Sequence, residues 1–163
     1  MSSADVFLAN NARYAEQFQK GEAPVRPGKQ TVIVTCMDAR IETGRLLGLE
    51  EGDAHVIRNA GGVVTDDVLR SLIISQRLLG TREIMLIHHT GCGMLSFRDD
   101  DLKAEIEADT GLRPAFALEA FPDLEEDVRQ SMRRIMASPF VPVKDHIRGF
   151  VYDVETGRLH EVS

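Results

Sequence analysis

The chain of 163 residues is 43% hydrophobic and 28% charged, and 19 Lys+Arg against 26 Asp+Glu leave a formal net charge of −7. That length suits one domain with a sizeable core, and the near-average composition excludes a disordered, collagenous or coiled-coil chain. The acidic balance argues against nucleic acid or an anionic membrane surface as a partner.

Residues Ala4 to Lys20 carry Phe7, Leu8, Ala12, Ala15 and Phe18 near helical spacing, which predicts an amphipathic helix. Gly21 to Gln30, with two Pro and two Gly, breaks it and leaves the helix tethered by an extended connector. The helix is free to pack on its own domain or on another subunit. Thr31 to Thr35 (TVIVT) reads as a short strand buried on both faces, and Ala54 to Arg58 and Ile84 to Ile87 read the same way. A helix is expected between the last two. Thr65 is its N-cap, Asp66 and Asp67 lie in its first turn, Val68, Leu72, Ile73, Leu78 and Leu79 form its apolar face, and Gly80 is its stop. Strand, helix, strand in short succession predicts a mainly parallel α/β sheet flanked by helices.

Further on, a helical pattern surrounds Leu102 to Ala108, while Asp99-Asp100-Asp101 reads as a solvated loop or helix start rather than a cation site. Asp123 with Glu126 opens another helix through about Met136, stopped by Ser138-Pro139. Ile147 to Val154 and Arg158 to Val162, joined by Glu155-Thr156-Gly157, predict a hairpin at the sheet edge.

No segment approaches the roughly 20 apolar residues of a membrane span. The N-terminus lacks the basic start and apolar run of a secretory signal, and a cytoplasmic location is expected. In that reducing compartment, the two cysteines, Cys36 and Cys92, are better read as metal-binding or catalytic than as a disulfide. Cys36, Asp38 and Arg40 directly follow the first strand. If the chain stays extended there, they share one side, with Met37 and Ala39 facing away. His89 and Cys92 follow another strand as H-x-x-C, around a tight Thr90-Gly91 turn. Taken singly, either group is also consistent with an incidental buried Cys beside a surface ion pair or a loop histidine.

The combination is more informative, because ligands in open α/β sheets bind outside the carboxyl ends of strands. Two thiolates and one imidazole suit zinc and leave a fourth position open, as in catalytic sites. An iron–sulfur cluster usually needs four thiolates. A cysteine-phosphatase loop would need Arg where Glu42 stands, and no P-loop or C-x-x-C is present. A carboxylate beside the open position can orient the attacking hydroxide or, unpaired, occupy the metal itself. Arg40 would hold Asp38 away from the metal and keep it ionised.

With C-x-D-x-R at Cys36 to Arg40, H-x-x-C at His89 to Cys92, the intervening IRNAGGVVTDDVLRSL and the closing RGFVYDVETGRL, the sequence resembles the β-class carbonic anhydrases. The resemblance implies a zinc lyase that interconverts carbon dioxide with bicarbonate and a proton by attack of a zinc-bound hydroxide. Cys36, His89 and Cys92 would be the metal ligands and Asp38 and Arg40 the catalytic dyad, with Asp38 on the metal only in a closed form. It further implies one domain over residues 1–163, residues 1–20 being a dimerisation helix that packs on a partner subunit. A homodimer is the basic unit, and tetramers also occur. Two departures stand out: the segment after Cys92 does not follow the usual pattern, and the family's A-G-N is Ala60-Gly61-Gly62. Carbonyl sulfide hydrolysis on the same site, or a non-catalytic zinc-binding module, is the alternative reading. His55, His88, His146 and His160 are candidates for proton shuttling but read mainly as structural or surface residues.

Overall fold

The computed structural model describes residues 2–163. Its centre is a five-stranded sheet in the order β2-β1-β3-β4-β5, with β1 Thr31–Cys36, β2 Ala54–Asn59, β3 Glu83–His89, β4 His146–Tyr152 and β5 Leu159–Val162. The first four strands run parallel and β5 returns antiparallel at the edge, as the hairpin signal predicts.

β1 is central because its β-branched run can be buried on both faces. Val32 and Val34 point into a cluster with Leu72, Ile84, Leu86 and Ile135, while Ile33 faces Ile87 and Phe150 on the opposite side. Burying each such side chain contributes roughly 1.5–3 kcal/mol. β2 does not match that description. It lies at the other edge of the sheet with Val56 exposed, since β1 is its only strand partner among the described residues.

The helices over one face are α3 (Asp66–Arg77) and α5 (Leu124–Ala137), capped by Thr65 and Asp123, whose side chains accept from the Val68 and Glu126 N–H groups. α3 ends at Arg77, three residues before Gly80. Leu78 keeps a helical-region conformation as its C-cap while its side chain faces solvent. A short helix, α2 (Thr43–Leu47), is absent from the sequence reading because five residues carry no periodicity; Glu42 caps it through the Gly44 and Arg45 N–H groups. α4 (Asp99–Thr110) starts on the acidic run, with all three aspartates in its first turn.

α1 (Ser3–Glu16) is shorter than the expected 4–20, because Gln17 and Phe18 tighten the last turn onto the Tyr14 and Ala15 carbonyls. A capping box between Ser2 and Asp5 fixes its start, yet none of its residues is buried.

Candidate metal centre

β1 and β3 are neighbours in the sheet and end side by side, so Cys36 and His89 emerge at the same carboxyl edge. The turn after β3 then returns Cys92 to them. The Cys36 and Cys92 sulfurs and a His89 ring nitrogen all lie within 4.8 Å of one another, and all three residues are buried.

The His89 ring is oriented by its main chain. Nδ1 donates to the Thr90 carbonyl at 2.9 Å, leaving Nε2 as the nitrogen with a lone pair. That Nε2 is buried without a hydrogen-bond partner. An orphaned imidazole lone pair facing two sulfurs is costly unless a cation completes it. The donor set therefore fits a soft divalent metal ion. Thr90 is itself fixed, its N–H donating to the Tyr152 carbonyl and its hydroxyl accepting from the Val154 N–H.

The two sulfurs shift one another's ionisation in opposite directions. Hydrogen bonding from Cys92 first, against opposing burial and aided by His89 and the Asp38 and Gly61 N–H groups, pulls the Cys36 thiol down to about 4. Cys92 is pushed up by the Cys36 thiolate and by burial. The Gly61 N–H donates to the Cys36 sulfur at 3.3 Å, placing a backbone dipole against the thiolate. Burial works against a charged His89 ring, and the adjacent Cys36 thiolate more than offsets it.

Asp38 and Arg40 do join the cluster, but not through an extended chain. The backbone turns after Cys36, with the Ile41 N–H bonded to the Asp38 carbonyl, and Arg40 folds back onto Asp38. Arg40 Nε and Nη2 donate to Asp38 Oδ1 and Oδ2 at 2.9 and 2.7 Å, and the Arg40 N–H adds a third bond to Oδ1. The Arg40 side chain and then its backbone N–H hold the Asp38 carboxyl well below the usual carboxylate range. Asp38 Oδ2 still lies 3.7 Å from His89 Nε2. Met37, expected to face away, is exposed but stands on the rim of the cavity beside Cys36 and Asp38.

A cavity of about 440 Å³ opens on the two sulfurs, lined also by Met37, Asp38, Ala60, Gly61, Gly93, Met94, Ser96 and Phe97. A larger cleft of about 720 Å³ adjoins it through Ser96 and Phe97 but is lined by none of Cys36, His89 and Cys92. Met94 and Phe97 come from the stretch after Cys92 that matches no pattern in the sequence reading; a short turn at Gly93–Leu95 directs it across the site.

Arg58 braces the loop after β1. Its guanidinium donates to the Cys36 carbonyl at 3.0 Å and the Asp38 carbonyl at 2.8 Å. Asn59 holds the Val63 carbonyl. No histidine other than His89 stands at the site. His55 bonds Ser75, His88 bonds Asp127, and His146 and His160 are exposed strand residues.

Residues 31–115 match the family model described as carbonic anhydrase. The β-carbonic anhydrase 1 of Mycobacterium tuberculosis is 60% identical over 163 residues, covering 100% of this chain and 99% of that protein. The carbon disulfide hydrolase of Acidianus sp. is 33% identical, over 79% of this chain and 75% of its own length. Among solved structures, the carbonic anhydrase of Streptococcus mutans superposes with a TM-score of 0.94 at 41% identity, covering 100% of this chain and 99% of that one.

Proposed function

The chain belongs to the β-class carbonic anhydrases, and on that premise we propose how its own residues carry the reversible hydration of carbon dioxide to bicarbonate and a proton. The observation that carries the reading is the clamp of Arg40 on Asp38 beside the Cys36, His89 and Cys92 donors.

Cys36, His89 and Cys92 would hold a zinc ion. When bound, the ion supplies Lewis acidity, which makes water nucleophilic near neutral pH. Asp38, kept ionised by Arg40, can only accept hydrogen bonds, so it takes one from the attacking water and turns the lone pair toward the substrate carbon. Arg40 also turns that carboxylate away from the Cys36, His89 and Cys92 donors; released, Asp38 would be able to serve as a fourth ligand and close the site. Met37, Met94 and Phe97 give the small, non-polar substrate an apolar wall beside the carboxylate. No histidine is among the residues that line the cavity, which supports solvent buffer as the acceptor of the proton.

A purely structural metal module is the poorer reading, since it has no use for a clamped carboxylate or an open cavity. The apolar, thioether-bearing lining supports a second substrate, carbonyl sulfide, on the same residues.

All 163 residues act as one unit, a homodimer, with residues 1–20 as the dimerisation arm. This is supported by α1, which buries nothing on its own chain and exposes Phe7 and Leu8 at 67% and 69%. Pairing of two such dimers would give a tetramer. No helix among the described residues is long and apolar enough to cross a membrane. Two free thiols are in keeping with the cytoplasm.

Stopped-flow hydration of carbon dioxide on metal-quantified protein, scanned from neutral to alkaline pH, tests the reading. About one zinc per chain with turnover rising with pH supports it. Zinc without turnover at any pH defeats it, and hydrolysis of carbonyl sulfide in its place selects the second substrate.

A further inference from the structure

We propose that His88 and Asp127 form a positioning unit for the metal centre, acting through the peptide that joins His88 to His89 and through the Phe121 ring. This rests on reading Cys36, His89 and Cys92 as the metal ligands.

Successive residues of a strand project to opposite faces, so His88 points away from the metal donors and into the interior under α5. It is fully buried, and its Nε2 lies 2.6 Å from Asp127 Oδ2, itself buried in the first turns of α5. A carboxylate oxygen only accepts, so Nε2 carries the hydrogen. The other ring nitrogen, Nδ1, is buried without a partner. An aliphatic residue would fill this space without an unpaired polar atom. What the pair offers instead is a single fixed orientation.

Two routes lead from the pair to the centre. The first is covalent: α5 grips the residue before His89 at the very end of β3, where His88 pairs with Val151 and His89 with Tyr152. The second is by packing. The His88 and Phe121 rings lie 5.6 Å apart, centroid to centroid. The Phe121 N–H donates to the Met94 carbonyl at 3.2 Å, and Phe121 is buried in one cluster with Cys36, Cys92 and Met94. A methyl group added at Gly61 would stand 3.1 Å from the Phe121 ring and 2.9 Å from Met94 Cγ, so Gly61 sits hard against both. Gly61 is the residue whose N–H meets the Cys36 sulfur. Displacing His88 thus disturbs one ligand through its peptide and another through the amide that supports it.

The test compares full-length, zinc-loaded wild type with Asp127→Ala, Asp127→Asn and Val128→Ala. The control, Val128, is a fully buried neighbour on α5 that packs with Val151 and Val162. Zinc retention is measured by competition with a chromophoric chelator, and site geometry by the visible absorption bands of the cobalt(II)-substituted protein. Urea melts report stability. The expected result is that Asp127→Ala folds, loses about 10–100-fold in zinc affinity and shifts the cobalt bands. Asp127→Asn, whose amide oxygen still accepts from His88, restores most of both, and Val128→Ala leaves both at wild type. Unchanged affinity and bands in folded Asp127→Ala overturn the proposal, as do equal changes in Val128→Ala. Should Asp127→Ala not fold, Phe121→Leu takes its place: shifted bands support the packing route and unchanged bands overturn it. A wild-type protein that binds no zinc refutes the metal reading first, before any variant is compared.

Discussion

Asp38 Oδ2 stands 3.7 Å from His89 Nε2, yet both carboxylate oxygens are engaged by Arg40, whose Nη2 also donates to the Gly91 carbonyl at 2.9 Å. One guanidinium therefore ties the loop after β1 to the loop after β3 and decides which way the carboxylate faces. A bidentate pair fixes direction as well as charge.

Removing that guanidinium should close the enzyme without emptying it. Arg40→Ala is expected to retain zinc while turnover collapses, because Asp38 is then free to reach the metal. Asp38→Ala should also retain zinc and lose about 10²–10⁴-fold in kcat, the usual worth of a positioned proton acceptor. Metal analysis beside stopped-flow hydration checks both. Full activity in Asp38→Ala would remove the carboxylate from the mechanism.

Cys36→Ala, His89→Ala and Cys92→Ala should each lose zinc and activity together. Chelation of the wild type should lower its melting temperature but leave it folded, since the larger core of Val32, Val34, Leu72, Ile84, Leu86 and Ile135 lies apart from the sulfurs. Added zinc then restores stability by mass action, about 2.7 kcal/mol at a free concentration 100 times the dissociation constant. Thermal melts over a zinc series give the slope; a melting temperature indifferent to zinc would contradict a site formed only in the folded chain.

The gathering of Cys36, His89 and Cys92, with the Asp38–Arg40 pair beside them, was legible because both groups follow the carboxyl ends of β-branched strands, where chain order and strand adjacency leave little freedom. The premise that grouped Cys36, Asp38 and Arg40 was nevertheless incorrect: a turn rather than an extended strand brings Arg40 back to Asp38. The bracing and lining residues were less accessible. Arg58 reaches carbonyls 22 and 20 positions away, and His88 meets Asp127 across 39 residues, with no local pattern to announce either. β2 looked like β1 because composition does not show which strand will lie at an edge.

Acid should loosen the wall of the larger cleft before it disturbs the core. Asp99 accepts three backbone N–H groups, from Leu118, Glu119 and Ala120, and so holds the loop that carries Phe121. Burial raises its pKa, but these donors together outweigh it and leave the carboxyl below its ordinary value of 3.8. The stability gained is thus fully present above the unfolded-state value and lost as pH falls through the lower, folded one. Asp99→Asn should destabilise by about 1–2 kcal/mol at neutral pH, after discounting for partial exposure. Urea melts at pH 7 and near pH 3 should show that difference shrinking in acid; a constant difference would mean the charge is irrelevant.

Gly62 sets the distance between the site and the sheet. The residue has φ +71, and a methyl group there would stand 2.9 Å from the Thr35 carbonyl carbon, 3.0 Å from the Cys36 nitrogen and 3.2 Å from the Ile87 oxygen. All three are backbone atoms of β1 and β3, which cannot rotate aside as a side chain would. Gly62→Ala combines a disfavoured backbone conformation with overpacking, expected to cost about 1–3 kcal/mol from overpacking alone. Because the nearest atoms belong to Cys36 and its predecessor, the loss should appear in zinc retention as well as in stability. Gly48→Ala, also at positive φ but with open space around its Cβ, isolates the backbone effect. If both variants lose stability equally and neither releases zinc, the contact between Gly62 and the strand ends carries no weight in shaping the metal site.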